Sequence, residues 1–273
     1  MSSKKELVVI GDSFCSDYIR MRNMMADENK PYLLWDKSLQ IIREFEWTQK
    51  KLFPIWGEIV AKELNLKFVN LSQSGTGTNY IFAELLDYLI KNKKNIEKVI
   101  ISWSGCSRFD FEFPGGNSPV PYKRPWMSIC TIHPAWIYPV GIKFDKFLTA
   151  VKEIKACSFE SGINNFFRHV YVLQNLLESH GTDYRMIQSV SDGYEFTKEG
   201  GLYKYAEKII NNPYFDLIND EKFIGWPGIE NLGGFTMVEL ISAEDNKNHI
   251  SDVDHHPNEN GMKIIANTII KNL

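Results

Sequence analysis

A dense group of titratable residues lies near the C-terminus, where residues 252–261 read DVDHHPNENG. Two aspartates and two adjacent histidines occupy positions 252–256, in a chain that has only 6 histidines. Imidazole is the commonest general base near neutral pH, and a neighbouring carboxylate can fix its tautomer. The segment therefore fits half of a catalytic device, although a polar helix start and a metal cluster are also open.

The histidines and cysteines elsewhere in the sequence weigh against a metal cluster. The four cysteines form no CxxC pair, a pattern typical of reduced thiols in a cytoplasm rather than of a zinc site or a disulfide framework. The other histidines lie in unrelated segments without ligand spacing: His133, His169, His180 and His249. We therefore expect no metal and no organic cofactor.

A serine and a glycine-rich turn at the other end of the chain would complete an acyl-transfer site. Ser13 ends the sequence ELVVIGDS, a β-branched run followed by a turn, and SGTGTN (74–79) follows a second apolar run. A serine hydroxyl is a weak nucleophile and needs a base, which one of the two adjacent histidines would supply. Backbone N–H groups of the two turns would bind the oxyanion.

The elements between these segments predict a parallel sheet that brings them together. Short apolar runs alternate with amphipathic segments of helical period, which favours right-handed crossovers and helices on both faces of a sheet. Functional groups of such a sheet collect at the carboxyl ends of its strands. The predicted strands lie in 6–13, 66–72, 98–104 and 184–190, with a possible strand at 235–241, and the predicted helices are 54–65, 80–94, 162–180 and a terminal helix capped by Asn258.

Three segments resemble the sequence blocks of the SGNH or GDSL hydrolases. GDSFCSD (11–17) resembles the first block, whose serine is the nucleophile, and NLSQSGTGTN (70–79) resembles the second, with Gly75 at the oxyanion-hole glycine. DHHPNENG (254–261) resembles the fifth block in its shorter form, DxHPN. The resemblance implies a three-layer α/β/α sandwich with a parallel, flavodoxin-like sheet and a hydrolase activity on ester bonds.

The fifth block leaves a choice between two acid–base pairs. The form DxHPN pairs Asp254 with His256 and keeps the junction of histidine with Pro257. The commoner family interval, DxxH, would pair Asp252 with His255 but loses that junction. The resemblance therefore favours Ser13 as nucleophile, His256 as base and Asp254 as the carboxylate that orients it.

The third block departs from the family pattern. VIISWSGCSRFDF (99–111) stands where the family has GxND, and Cys106 falls at the place of the asparagine that donates to the oxyanion. Cysteine is a weak donor, so Ser107 or Arg108 is the expected substitute, beside the backbone N–H groups of Ser13 and Gly75. A hole with fewer donors would slow the reaction by about 10²–10³-fold for each donor lost.

The substrate class is the least determined feature of the sequence. Four residues are expected to contribute to substrate binding: Asp12, Trp126, Trp136 and Tyr138. The aromatic ones suit stacking on sugar rings, which favours a carbohydrate O-acetylesterase, but they would also line an acyl pocket or simply fill the protein interior. An O-acyltransferase, an inactive SGNH-like binding module and a flavodoxin-like nucleotide-binding protein remain alternatives.

The composition excludes several classes of protein. With 273 residues, 44% hydrophobic residues and a formal net charge of −3, the chain is typical of a folded globular protein and has no basic stripe for nucleic acid. The N-terminus lacks a signal h-region, and no run approaches the ~18 apolar residues of a membrane helix. We expect a cytoplasmic protein that binds a small-molecule or glycan ester, in an oligomeric state that the sequence leaves open.

The chain is predicted to form one domain over residues 1–273, without repeats or an obvious linker. Large insertions are expected at about 17–53, 110–160 and 191–250. The part from 110 to 145 is rich in proline and aromatic residues, which predicts a long packed loop.

Overall fold

The computed structural model describes residues 4–16, 53–92, 95–112, 126–130, 137–138, 149–151, 153, 157–191, 201–242, 247–250 and 255–273. The strands in chain order are β1 (Glu6–Ile10), β2 (Lys67–Asn70), β3 (Ile96–Trp103), β4 (Arg108–Glu112), β5 (Trp126–Cys130), β6 (Ile137–Tyr138), β7 (Asp183–Gln188) and β8 (Phe223–Ile224). The helices are α1 (Trp56–Glu63), α2 (Thr78–Asn92), α3 (Phe159–Ser179), α4 (Gly201–Ile210), α5 (Met237–Ser242) and α6 (Glu259–Lys271).

A five-stranded sheet forms the centre of the fold. Its strand order is β2-β1-β3-β7-β8, and each neighbouring pair is parallel. This is the order of a flavodoxin-like sheet, in which the carboxyl ends of β1 and β3 mark the point where the direction of winding reverses. The prediction of a parallel, flavodoxin-like sheet is confirmed.

Helices cover both faces of this sheet, because the central strands are apolar on both sides. The side chains of Val8 and Ile10 join a core with α2 and α3, whereas Leu7 and Val9 join a second core with α1 and α6. All four of these side chains have 0% exposure. Such continuous burial is expected of a strand with parallel neighbours on either side, and it gives the three layers that the sequence predicted.

The proline-rich part of the chain contains a second sheet, so the prediction of a loop there was wrong. β4, β5 and β6 form a three-stranded antiparallel sheet. The sequence RFDFE (108–112) alternates polar and apolar residues, and Phe109 and Asp110 point to opposite sides of the strand. The prolines lie outside these strands, where they do not interrupt the hydrogen bonding.

The prediction of a strand at 235–241 was also wrong, because helix α5 occupies this part of the chain. Thr236 Oγ1 accepts a hydrogen bond from the N–H of Glu239 at 3.3 Å, and Glu239 Oε2 accepts one from the N–H of Thr236 at 2.7 Å. This reciprocal capping box satisfies two donors that a helix start leaves open. The last strand of the sheet, β8, has only two residues and was not predicted.

The remaining predicted elements appear within a few residues of their expected bounds, and Asn258 caps α6 by accepting hydrogen bonds from the N–H groups of Asn260 and Gly261. Most of the predicted insertion at 17–53 lies outside the described residues. The described helices include none that is both long and apolar enough to cross a membrane.

Candidate active site

Ser13 lies in a tight turn that begins where β1 ends. The N–H groups of Cys15 and Ser16 both donate to the carbonyl of Asp12 at 3.1 Å, which folds residues 12–16 into a single helical turn. Gly11 permits this turn, because a Cβ there would lie 2.6 Å from Cys15 Sγ and 2.8 Å from the carbonyl oxygen of Ser102. The turn leaves Ser13 buried, with 5% exposure, at the carboxyl edge of the sheet.

Side chains of two other elements hold the outer part of this turn. Trp56 Nε1 of α1 donates to the carbonyl of Phe14 at 2.9 Å, and Asn70 Nδ2 at the end of β2 donates to the carbonyl of Cys15 at 2.9 Å. Burial, together with the charge of Asp12, raises the pKa of the Cys15 thiol well above its ordinary value. Cys15 therefore stays a neutral thiol and does not compete with Ser13 as a nucleophile.

The structure brings Ser13 and His256 into direct contact. His256 Nε2 lies 2.7 Å from Ser13 Oγ, although the two residues are 243 positions apart in the chain. The imidazole ring also lies against Phe14, with ring centroids 5.2 Å apart. A nitrogen at this distance can accept the proton of the serine hydroxyl when the neutral ring carries its own proton on Nδ1.

The backbone around His256 is fixed by a short antiparallel contact. The N–H of Ile250 donates to the carbonyl of His256, and the N–H of Asn258 donates to the carbonyl of Asn248, both at 2.9 Å. The buried His249 adds to this contact, because its Nδ1 donates to the carbonyl of His255 at 2.8 Å and its Nε2 lies 2.9 Å from Ser242 Oγ. Segment 247–250 therefore supports the residue that reaches Ser13.

The other candidate residues of segment 252–256 do not have a described contact with Ser13. His255 is exposed, and its ring meets that of His249 edge to face at 5.3 Å. Asp252 and Asp254 lie outside the described residues. The choice of His256 over His255 thus has a geometric basis, whereas the choice of Asp254 as its partner stays a prediction.

Asp12 is fully buried and faces protein groups rather than a substrate space. Its Oδ1 accepts the N–H of Phe14 at 3.0 Å, and its Oδ2 accepts from Ser189 Oγ at 2.7 Å and from Arg108 Nη1 at 3.2 Å. The carboxylate has 0% exposure. The structure therefore places the Asp12 carboxylate among protein groups of three segments, and its contact with substrate stays a prediction.

The glycine-rich turn after β2 runs beside the serine turn. The N–H of Gln73 donates to the carbonyl of Gly11 at 3.1 Å, which joins the two turns directly. Gly75 has a φ of 81°, a left-handed conformation that glycine adopts without strain. Thr76 Oγ1 closes the turn by donating to the carbonyl of Gln73 at 2.7 Å. These contacts place Gly75 at the edge where the sequence predicted an oxyanion donor.

The segment between β3 and β4 contains the residues that the sequence resemblance aligned with a third block. Cys106 is 1% exposed and belongs to the apolar core beneath α3, where its carbonyl would lie 2.0 Å from a Cβ added to Gly162. Ser107 is also buried. Arg108 Nη1 donates to Asp12 and, at 3.4 Å, to the carbonyl of Thr76. The predicted oxyanion donor Arg108 is thus directed at two protein groups.

The aromatic residues predicted to bind substrate are only partly described. Trp126 packs edge to face on Tyr80, with ring centroids 5.7 Å apart, and its Nε1 donates to Glu84 Oε1 at 3.1 Å. Its partner in β4 is Glu112, four residues beyond Arg108, a separation of about 14 Å along a strand. Trp126 therefore packs on α2, away from Arg108. Trp136 and the side chain of Tyr138 lie outside the described part of the chain.

Sequence reasoning missed Ser189, Asp110 and His249, which lie next to the predicted residues. Ser189 follows β7 directly, so the rule that polar groups collect at the carboxyl ends of parallel strands would have identified it. Asp110 carries no comparable signal, because its partners Gly77, Tyr80 and Ser128 are far away in the sequence. The partners of His249 are within seven positions, but His249 follows no predicted strand end. In the described residues, no group of three or more His, Cys, Asp or Glu side chains is placed to hold a metal ion.

Comparisons with known proteins give matches among solved structures alone. No model of a protein family matches the chain, and no curated protein matches it. A protein described as lipolytic and of the G-D-S-L family, from Desulfitobacterium hafniense, is 12% identical with a TM-score of 0.44, over 98% of this chain and 99% of that one. The psychrotrophic esterase EstA from a Pseudoalteromonas species is 10% identical with a TM-score of 0.40, over 98% and 96% of the two chains.

A third match is a catalytic mutant of an acetylxylan esterase from Geobacillus stearothermophilus, 15% identical with a TM-score of 0.39, over 100% of this chain and 95% of that one. At such identities and TM-scores, the activity must be inferred from the residues of the chain itself. The strand order is that of a flavodoxin-like sheet, and Ser13 follows β1, Gly75 follows β2 and His256 precedes α6, the arrangement that the sequence motifs predicted.

Proposed function

We propose that this protein is a serine hydrolase of carboxylic esters. The observation that carries the proposal is the 2.7 Å contact between Ser13 Oγ and His256 Nε2 at the carboxyl edge of the parallel sheet. A serine whose hydroxyl meets an imidazole at this distance has the base that it needs to act as a nucleophile. Within this turn, burial keeps the Cys15 thiol neutral, and Ser13 is the residue whose side chain meets His256.

The reaction would proceed through an acyl-enzyme. Ser13 Oγ forms a bond to the ester carbonyl carbon while its proton passes to His256 Nε2, and the carbonyl electrons move to oxygen. The tetrahedral intermediate then collapses, the bond to the alcohol breaks, and His256 delivers its proton to the leaving oxygen. Water repeats the sequence on the acyl-serine, which releases the acid and restores Ser13.

Two further groups complete the proposed device. Asp254 would accept a hydrogen bond from His256 Nδ1, which holds the tautomer that leaves Nε2 free to accept and stabilises the imidazolium. The backbone N–H groups of Ser13 and Gly75 would bind the oxyanion. A hydrogen bond from the N–H of Gln73 to the carbonyl of Gly11 links the two turns that carry these donors.

Hydrolysis of p-nitrophenyl acetate by wild-type protein and by the variant Ser13→Ala tests the proposal. We expect turnover by the wild type and a loss of at least about 10³-fold in kcat for the variant, since removal of a triad member has effects of that order or more. Ser161→Ala serves as a control, because Ser161 lies on α3 and its hydroxyl, within the described residues, donates to the carbonyl of Ser158. Equal rates for the wild type and Ser13→Ala would refute the proposal.

A further inference from the structure

Strand β4 connects the serine turn to the glycine turn. Only four residues separate the end of β3 from the first residue of β4, Arg108, so β4 starts at the carboxyl edge of the large sheet. Its side chains at positions 108 and 110 lie on one face of the strand, since strand side chains alternate. Both of these side chains contact the glycine turn, and Arg108 also contacts Asp12.

Arg108 reaches two separate turns with one nitrogen. Its Nη1 lies 3.2 Å from Asp12 Oδ2 and 3.4 Å from the carbonyl oxygen of Thr76, and the side chain is only 14% exposed. Asp12 in turn accepts the N–H of Phe14. The Asp12 carboxylate therefore links the two residues that flank Ser13 in the sequence, Asp12 and Phe14. Thr76, the other partner of Arg108, follows Gly75 directly.

Asp110 fixes the far side of the glycine turn. Its Oδ1 accepts the N–H of Gly77 at 2.7 Å and the hydroxyl of Ser128, and its Oδ2 accepts the N–H of Tyr80 at 2.9 Å. Gly77 lies so close to β4 that a Cβ there would be 2.6 Å from the carbonyl oxygen of Arg108. The turn from Gly75 to Gly77 is thus held at two points by one strand.

The charges in this region favour a structural partner for Arg108 over an anionic substrate. Asp12 and Asp110 are both buried, with 0% and 4% exposure, and Arg108 is the cation that faces Asp12 within the described residues. A carboxylate taken out of water needs such a partner, because its desolvation costs several kcal/mol. Burial raises the pKa of Asp110, an effect that the nearby charge of Arg108 opposes. Arg108 is therefore already engaged by acids of the protein.

We propose that Arg108 is a positioning residue that fixes the serine turn relative to the glycine turn, and so sets the distance between Ser13 and the oxyanion donor Gly75. This inference rests on the proposed esterase function. In this proposal, β4 holds the proposed oxyanion donors in place, in a chain that has Cys106 where the third sequence block has an asparagine. Oxyanion donors act through accurate placement, so a small displacement of one turn lowers the rate without weakening substrate binding.

The test compares wild type, Arg108→Ala and Arg108→Lys in steady-state hydrolysis of p-nitrophenyl acetate. We expect Arg108→Ala to lower kcat by about 10–100-fold with KM nearly unchanged, since the effect lies below the ~10²–10³-fold loss of a donor itself. Arg108→Lys keeps a cation opposite Asp12 and should recover part of kcat. Arg168→Ala, which removes an exposed arginine of α3, should leave both constants unchanged.

A double-mutant cycle separates a loss of positioning from a loss of folding. It compares the single variants Asp12→Asn and Arg108→Gln with the double variant. Asp12→Asn with Arg108→Gln removes both charges, so no carboxylate is left buried without a partner. If the two residues act as one unit, the double variant loses no more of kcat than the worse single variant. Additive losses, a change in KM alone, or an unchanged kcat in folded Arg108→Ala would overturn the positioning role. Absence of turnover in the wild type would instead refute the esterase function.

Discussion

His256 is the residue on which the account of the site depends, because two histidines stand side by side. His256 Nε2 contacts Ser13 Oγ at 2.7 Å, whereas His255 is exposed to solvent. The structural contribution of His255 comes from its backbone carbonyl, which accepts a hydrogen bond from His249 Nδ1. A side-chain deletion at each position therefore separates chemistry from structure.

We expect His256→Ala to lower kcat by at least about 10³-fold and His255→Ala to leave it within about threefold, because surface substitutions seldom have larger effects. The measurement is the initial rate of p-nitrophenyl acetate hydrolysis for both variants at matched concentration. His255→Ala is the internal control, since both variants remove one imidazole from the same segment. A larger loss for His255→Ala would transfer the role of base to that residue.

The residues of the site could be predicted where local sequence carries the signal, but their supports could not. Ser13, Gly75 and His256 stand at strand ends and before a helix, so their positions follow from the order of elements. The contacts of Asp12 with Ser189 and Arg108 join residues 177 and 96 positions apart. Such contacts depend on how the strands are aligned, which no local pattern specifies.

At the scale of elements, the segment 247–250 supports the backbone at His256, the proposed base. It pairs with the chain around His256 and is itself held by Ser242 at the end of α5 through His249. The imidazole of His249 is buried, and its Nδ1 donates to the carbonyl of His255, so replacing it removes both a packed ring and a hydrogen bond to the residue before His256. The position of His256 should therefore depend on His249, a buried residue bonded to Ser242 and to the backbone of His255.

We expect His249→Ala to lower the free energy of unfolding by about 1–3 kcal/mol and to lower kcat as well. His249→Asn should retain more of both, since its side-chain N–H can replace Nδ1 as the donor to the carbonyl of His255. Urea denaturation and steady-state kinetics on the same preparations measure the two effects. Equal kcat values for the Ala and Asn variants would contradict this supporting role.

The elements that sequence patterns missed are those in which local signals conflict or are very short. In 235–241 the apolar residues suggested a strand, but the capping box of Thr236 and Glu239 was available as a helix signal. The sequence of β4 alternates polar and apolar residues, but the prolines that follow it favoured the prediction of a loop. β8 has only two residues, too few for any periodicity, and pairing with β7 alone defines it.

At the scale of the whole molecule, the packing of α2 on α3 makes stability depend on pH through His169. Its ring stacks on Phe82 with centroids 4.5 Å apart, and burial, with a smaller contribution from the charge of Arg168, lowers the pKa of His169 from 6.5 to about 4. As pH falls below 6.5, the unfolded chain takes up a proton at this residue that the folded chain does not. The stabilising contribution is thus complete above pH 6.5 and is lost as pH falls to about 4.

We expect wild-type protein to lose about 3 kcal/mol of unfolding free energy through His169 over this range, at ~1.36 kcal/mol for each pKa unit. His169→Phe keeps an aromatic ring against Phe82 and should remove this component, so the difference in stability between the two proteins changes with pH. Chemical denaturation at pH 7 and at pH 4 measures that difference. Parallel losses for wild type and His169→Phe would show that another group is responsible.

The central claim is that Ser13 is a nucleophile activated by His256, and the most direct measurement is the site of a covalent adduct. Wild-type protein is treated with a fluorophosphonate probe, digested and analysed by mass spectrometry, with His256→Ala treated in parallel. We expect one phosphonylated residue, Ser13, in the wild type, and a much slower reaction in His256→Ala. An unlabelled Ser13, or equal labelling of Ser13 in both proteins, would contradict it.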